Sequence, residues 1–115
     1  MNISLIICTY NRAESLKDTL ICLKQQKISI DLSSEIIVVD NNSSDKTFEV
    51  VAELQETWPN LNYEFEKQQG LSYARNNGIR CSKGDILFFT DDDVLPEPDW
   101  IEKVLIGLEK YDADA

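Results

Sequence analysis

Three short apolar runs restrict the folds open to this chain: ISLIIC at 3–8, EIIVVD at 35–40 and DILFFT at 85–90. All are rich in β-branched, leucine or aromatic residues and show little alternation, as strands covered on both faces do. Between them the spacing turns helical. Asn11 is placed to cap a first helix, with Glu14 three residues later and Leu16, Leu20 and Leu23 as its apolar stripe. Phe48, Val51, Leu54 and Trp58 outline a second helix that Pro59 ends. A third runs from Leu71 to about Ser82, with Leu71, Ala74, Gly78 and Ile79 or Cys81 inward and Gly84 as its C′ residue. A fourth opens near Pro98 and buries Ile101, Val104, Leu105 and Leu108. LNYEFE at 61–66 alternates apolar and polar residues and reads as a half-exposed strand at or near a sheet edge. Strands alternating with helices predict right-handed crossovers: an α/β fold, mainly parallel, with helices on both faces of the sheet.

In an open parallel sheet, ligands bind outside the carboxyl ends of the strands. The first strand runs out into Thr9, Tyr10, Asn11 and Arg12, the second into Asp40, Asn41 and Asn42, and the last into Asp91, Asp92 and Asp93. These polar residues should therefore share one rim. Singly, the asparagines and Asp40 are ordinary turn and cap residues, Arg75 an ordinary exposed charge, and the 70–78 stretch a close-packed helix face. The acid triplet differs because it ends a buried strand rather than a polar segment. Adjacent carboxylates repel by about 4 kcal/mol at ~4 Å and an effective dielectric of ~20, so something must offset that cost. A hard divalent cation would, since magnesium commonly takes one or two carboxylates together with substrate phosphates. In an extended segment Asp91 and Asp93 point one way and Asp92 the other.

Other sources of chemistry are scarce. The triplet does not open a calcium loop, because Pro96 stands where such a loop needs glycine. Neither GxxxxGK[ST] nor GxGxxG occurs. Cys8, Cys22 and Cys81 are odd in number, and the chain has no histidine, so a zinc set or disulfide framework is not expected; the three read as small buried residues in a reducing cytosol. A formal charge of −10 repels nucleic acid and anionic membranes, leaving any anionic ligand to be held by a metal or local donors.

Four stretches together carry a resemblance: IICTYNR at 6–12, VVDNNSSD at 38–45, GLSYARNNGI at 70–79 and FFTDDDVLPEPDWI at 88–101. In this order and spacing they resemble the donor-binding half of a family 2 glycosyltransferase with the Rossmann-like GT-A fold. The resemblance implies a UDP- or GDP-sugar donor, a Mg2+ or Mn2+ ion, and transfer to a hydroxyl on a glycan, lipid or other acceptor, inverting the anomeric configuration. Thr9, Tyr10, Asn11, Arg12 and Asn42 would belong to the nucleotide-sugar pocket, and Asp40 would accept a hydrogen bond from the base. Arg75 would reach base or phosphates. Asp91 would meet ribose or metal, Asp93 would be the leading metal ligand of the DxD motif, and Asp92 would share the donor site.

The general base of such enzymes lies in the acceptor-binding half, so no catalytic residue is expected within 1–115. The chain is accordingly expected to be a truncated, donor-binding portion, inactive alone, whose uncovered sheet edge and helix face would invite self-association. The expected location is cytoplasmic, with the inner face of the membrane open to a full-length protein; no apolar run approaches the ~20 residues needed to cross a bilayer. Two rival readings are a magnesium-dependent phosphoacceptor signalling domain and a sugar nucleotidyltransferase. The first wants an acidic pair after the first strand and the second a glycine-rich loop there, where this chain has TYNRAES.

Overall fold

The computed structural model describes residues 2–26 and 33–113. Among the described residues four strands and four helices alternate: β1 (Asn2–Thr9), α1 (Ala13–Lys24), β2 (Ser33–Asp40), α2 (Thr47–Gln55), β3 (Leu61–Phe65), α3 (Leu71–Cys81), β4 (Ile86–Thr90) and α4 (Trp100–Ala113). The strands form one sheet in the order β3-β2-β1-β4, parallel at every pairing. Thr9 is level with Asp40, and Ile7 with Thr90, so three strands end together at one rim.

The period-two pleat divides the core. On one face Leu5, Ile7, Ile36 and Val38 pack with Leu16, Leu20, Leu23 and Val51 of α1 and α2. Ile3 continues that face toward Ile101 and Leu105 of α4, with Phe88 and Trp100 joining the two clusters. The other face presents Ile6, Ile37 and Val39 to Ala74 of α3. After β3 the chain turns back to pair beyond β1, and a right-handed return places α3 on the face opposite α1 and α2. The gap between β1 and β4 is therefore the point where strand order reverses, which is where such sheets bind ligands.

Several local expectations are corrected. DILFFT is not covered on both faces: in the sheet of the described residues β4 pairs with β1, and Ile86 and Phe88 face α4 while Leu87 and Phe89 remain 37% and 43% exposed on the other side. Asn11 does not cap α1. Its φ of 51° puts it in the left-handed region that asparagine tolerates, and the Asp45 carboxylate accepts the Ala13 N–H instead, at 3.1 Å. Gly84 is not a left-handed C′ residue. It is required because a Cβ there would stand 2.6 Å from the Ser4 backbone nitrogen. The second helix stops at Gln55, and Trp58 reaches the core from a three-residue turn in which its N–H meets the Gln55 carbonyl. Phe48 is exposed and meets Tyr63 edge-on at 5.1 Å, and Leu71 is also exposed. At the third helix the inward residue is Cys81 rather than Ile79. The three cysteines are free but half-buried, not buried. The fourth helix begins two residues after Pro98, at Trp100, and the Leu108 side chain lies outside the described residues.

Candidate functional site at the strand-end rim

With Leu5, Ile7, Ile36 and Val38 buried on one face and Ile6, Ile37 and Val39 on the other, the residues that end β1 and β2 open onto the rim, and polar partners gather there. Asp92 is 7% exposed; Thr9 Oγ1 donates to its Oδ2 at 2.8 Å. Arg12 Nη1 lies 3.5 Å from the other Asp92 oxygen and 3.3 Å from Asp93 Oδ2. One hydroxyl and one guanidinium thus offset part of the repulsion within the triplet, at Asp92 and Asp93. Asp92 turns inward while Asp91 and Asp93 stay exposed. The turn that follows is anchored below, where Thr19 Oγ1 of α1 donates to the Val94 carbonyl at 2.6 Å.

At the β2 end, Asp40 is 2% exposed and each of its oxygens has a partner: Oδ2 accepts the Tyr63 hydroxyl at 2.6 Å and Oδ1 the Ser43 N–H at 2.9 Å. Burial, then the bond and charge of Asp40, push the Tyr63 hydroxyl well above the usual tyrosine value, so it stays a donor. The following turn carries Asn42 with φ at 67°, exposed, its amide only 3.5 Å from the Lys67 carbonyl. A reciprocal clasp joins this turn to the β1 loop. Asn11 N–H donates to Ser43 Oγ at 2.9 Å, and Asn11 Oδ1 accepts the Ser44 N–H at 2.8 Å.

Two clefts meet on the α3 side of the rim and share Cys8 and Leu71 as common walls. One, of about 290 Å³, lies among Thr9, Tyr10, Asn41, Gln69, Gly70 and Ala74. The other, of about 280 Å³, lies among Ile6, Arg75, Phe89, Thr90 and Asp91. Arg75 sits 6.0 Å from the centre of the Phe89 ring. Burial raises the Cys8 thiol above its ordinary value despite Arg75, which disfavours the thiolate on the cleft floor.

The structure therefore brings Thr9, Tyr10, Arg75 and Asp91 onto one trough and sets Arg12, Asp92 and Asp93 beside it. Asp40 and Asn42 are not among the residues lining those two clefts, and the Asn11 side chain is spent on the Ser44 clasp. The sequence places Asn41 on the rim without a role in the pocket and gives no site role to Tyr63 or Gly70. Only the NN pair and the GLSYARNN stretch hinted at the first and last, and nothing in an alternating edge strand marks Tyr63 as Asp40's partner. Among the described residues, no three acidic or cysteine side chains gather closely enough to hold a metal by themselves.

Residues 4–115 match the family described as Glycosyl transferase family 2. The glycosyltransferase YfnE of Bacillus subtilis, itself described as uncharacterized, is 37% identical over 103 residues, spanning 90% of this chain and 26% of its own length. Among solved structures, the mannosyltransferase PcManGT from Pyrobaculum calidifontis, in complex with GDP-Man and Mn2+, superposes with a TM-score of 0.76 at 32% identity, over 84% of this chain and 29% of that one. S. aureus TarS in complex with UDP-GlcNAc superposes with a TM-score of 0.81 over 96% of this chain and 32% of its own, at 23% identity, a likeness of fold alone. The chain thus spans roughly a quarter to a third of the length of these three proteins.

Proposed function

Because this chain belongs to glycosyl transferase family 2 and has an α/β fold like that of GT-A enzymes, we propose that it is the donor-binding portion of an inverting glycosyltransferase. Its substrate would be a UDP- or GDP-sugar, and its acceptor a hydroxyl on a glycan, lipid or similar molecule, as in polysaccharide assembly by a hexosyltransferase. The observation that carries this reading is the trough at the β1–β4 switch point, with hydroxyl and aromatic groups at one end and Arg75 and Asp91 at the other. A nucleoside diphosphate has the same polarity along its length. The GDP-Man and Mn2+ bound to the 32% identical mannosyltransferase support it.

In this reading Thr9 and Tyr10 hold the nucleoside, and Arg12 and Arg75 supply the diphosphate donors that a chain of charge −10 otherwise lacks. Asn11 and Asn42 shape the loops around the pocket. Asp40 keeps one lone pair on each oxygen beyond its two internal bonds, and a base N–H can use it once the Ser43 turn gives way. Asp92 fixes Thr9 in place.

The donor set fits a Mg2+ or Mn2+ ion: two exposed carboxylates, Asp91 and Asp93, leave the remaining positions to phosphate oxygens and water. Such an ion supplies Lewis-acid stabilisation of charge on the departing diphosphate. The chain's own residues orient the sugar for in-line displacement, and the general base that takes the acceptor proton is assigned to the acceptor-binding portion of the full-length protein. Within 1–115 donor binding is expected without transfer. Among the described residues, no helix is long and apolar enough to cross a membrane, and the proposed site of action is the cytoplasm or the inner membrane face.

Calorimetry with UDP and GDP, with and without Mn2+, tests this reading. Metal-enhanced binding of at least one is expected, and metal-independent or absent binding of both would remove its basis. Against the phosphoacceptor and nucleotidyltransferase alternatives stand the family match and the TYNRAES loop, which has neither an acidic pair nor a glycine-rich cradle.

A further inference from the structure

We infer that Asn41 is a positioning residue that fixes one wall of the nucleotide cleft, through hydrogen bonds that tie residues 66–70 to the end of β2. Asn41 is 8% exposed, and its amide is saturated by segments 25 to 29 residues away. Its Nδ2 donates to the Gln68 carbonyl at 2.7 Å and to the Glu66 carbonyl at 3.3 Å, while its Oδ1 accepts the Gly70 N–H at 2.9 Å. Its own backbone N–H meets the Thr9 carbonyl at 2.9 Å. One residue therefore touches both sides of the cleft: Thr9 on the β1 side, and the segment carrying Gln69, Gly70 and Leu71 on the other.

Apart from Asn41, the bonds to this wall gather at Glu66, whose N–H donates to the Asp40 carbonyl at 2.8 Å and whose carboxylate accepts the Gln68 N–H at 3.0 Å. Gly70 has φ at +142°, a conformation an L side chain rarely adopts, and its carbonyl starts α3 by accepting the Ala74 N–H. Asparagine alone among side chains of its length offers two donors and an acceptor on one planar group, which is what two carbonyls and one N–H require. Aspartate in its place would keep the Gly70 bond but face two carbonyl oxygens with a carboxylate. Asn42 contributes far less: it is exposed in a left-handed turn, and its amide makes one long contact to this segment, 3.5 Å from the Lys67 carbonyl. Of the two adjacent asparagines, the first sets the wall.

The inference rests on the donor-binding reading, and its consequence is measurable separately. If losing Asn41 leaves the wall in place in about a tenth of the molecules, the apparent Kd for a nucleoside diphosphate rises about tenfold. The test measures UDP and GDP affinity, with Mn2+ present, for wild type, Asn41→Ala and Asn41→Asp. The comparison variant is Glu35→Gln, which weakens the opposite end of the sheet, where Glu35 accepts from Ser4, Lys83 and Asn62. Amide hydrogen exchange is followed in parallel. Expected are a roughly tenfold loss of affinity in both Asn41 variants, faster exchange confined to residues 66–71, and near wild-type affinity in Glu35→Gln at similar thermal stability. If Asn41→Ala does not fold, Asn41→Asp carries the same expectation. Wild-type affinity in a folded Asn41 variant, or an equal loss in Glu35→Gln, overturns the positioning role. Failure of wild type to bind either nucleotide overturns the donor-binding reading itself.

Discussion

Replacing Tyr63 with phenylalanine should separate the hydrogen bond to Asp40 from everything else the side chain does. The ring packs edge-on against Phe48 at 5.1 Å, and phenylalanine keeps that contact, so only the hydroxyl is lost. Its 2.6 Å bond goes to a carboxylate that is 2% exposed. Hydrogen bonds to charged groups contribute about 1.5–3 kcal/mol, and the remaining bond from the Ser43 N–H keeps Asp40 from being orphaned. A destabilisation of about 2 kcal/mol is expected, or roughly 8–15 °C in Tm for a domain of this size. The pH dependence gives a second, independent sign. Burial and Asp40 raise the folded hydroxyl's pKa above the ordinary value of 10.0, so the unfolded chain gives up its proton first as pH rises. The stabilisation is therefore complete below pH ~10 and declines above it, and the two proteins should converge in strongly alkaline solution. Urea melts across pH, with tyrosinate absorbance as an independent readout, decide the matter. Equal stability of the two proteins at neutral pH would refute the reasoning, as would an alkaline decline that persists unchanged in the variant.

Other perturbations test separate parts of the structure. In Gly78→Ala, the new Cβ would come within 2.5 Å of Ile6 Cγ2, so overpacking of about 1–3 kcal/mol should exceed the helix-propensity gain of ~1 kcal/mol and lower the urea midpoint. Burial pushes the Asp45 carboxyl up, but bonds from Thr47 and the Ala13 N–H outweigh it and hold it below its ordinary 3.8. Its stabilisation is thus present above pH ~4 and lost as pH falls through the lowered value, so Asp45→Ala should cost about 1 kcal/mol at neutral pH and flatten the acid side of the stability curve. Asp92→Ala should destabilise more than Asp92→Asn, because asparagine can still accept from Thr9 while alanine leaves that hydroxyl unpaired; chemical denaturation of both ranks them. Asp93→Asn, or chelation of the metal in wild type, should remove the Mn2+ enhancement of nucleotide binding in calorimetry.

The architecture was legible because its signals are cooperative. Buried β-branched runs at regular intervals leave few alternatives to a parallel sheet, and the carboxyl-end rule then located the rim before any contact was known. Thr9, Arg12, Asp92 and Asp93 meet there across more than eighty residues of sequence. What escaped the sequence was pairing. DILFFT is apolar enough for a strand covered on both faces, yet among the described residues Leu87 and Phe89 of β4 stay exposed, since composition records how apolar a segment is and not what covers it. The asparagines show the same limit. Asn11, Asn41 and Asn42 all read as cap or turn formers, but one clasps a loop, one is bonded on both amide atoms inside the rim, and one shapes a left-handed turn with its amide 3.5 Å from the Lys67 carbonyl. Those roles depend on partners 25 or more residues distant, which spacing does not encode. Asp40 is likewise partnered by Tyr63, a residue on an unremarkable alternating strand.

Backbone amide shifts during titration with UDP or GDP in the presence of a diamagnetic divalent ion, Mg2+, test most directly the claim that three strand ends form one donor pocket. The account predicts that the largest changes fall together at Thr9–Arg12, Asn41, Gly70–Leu71, Arg75 and Asp91–Asp93. Changes clustered instead around Glu35, Lys83 and the opposite end of the sheet, with the rim unmoved, would contradict it.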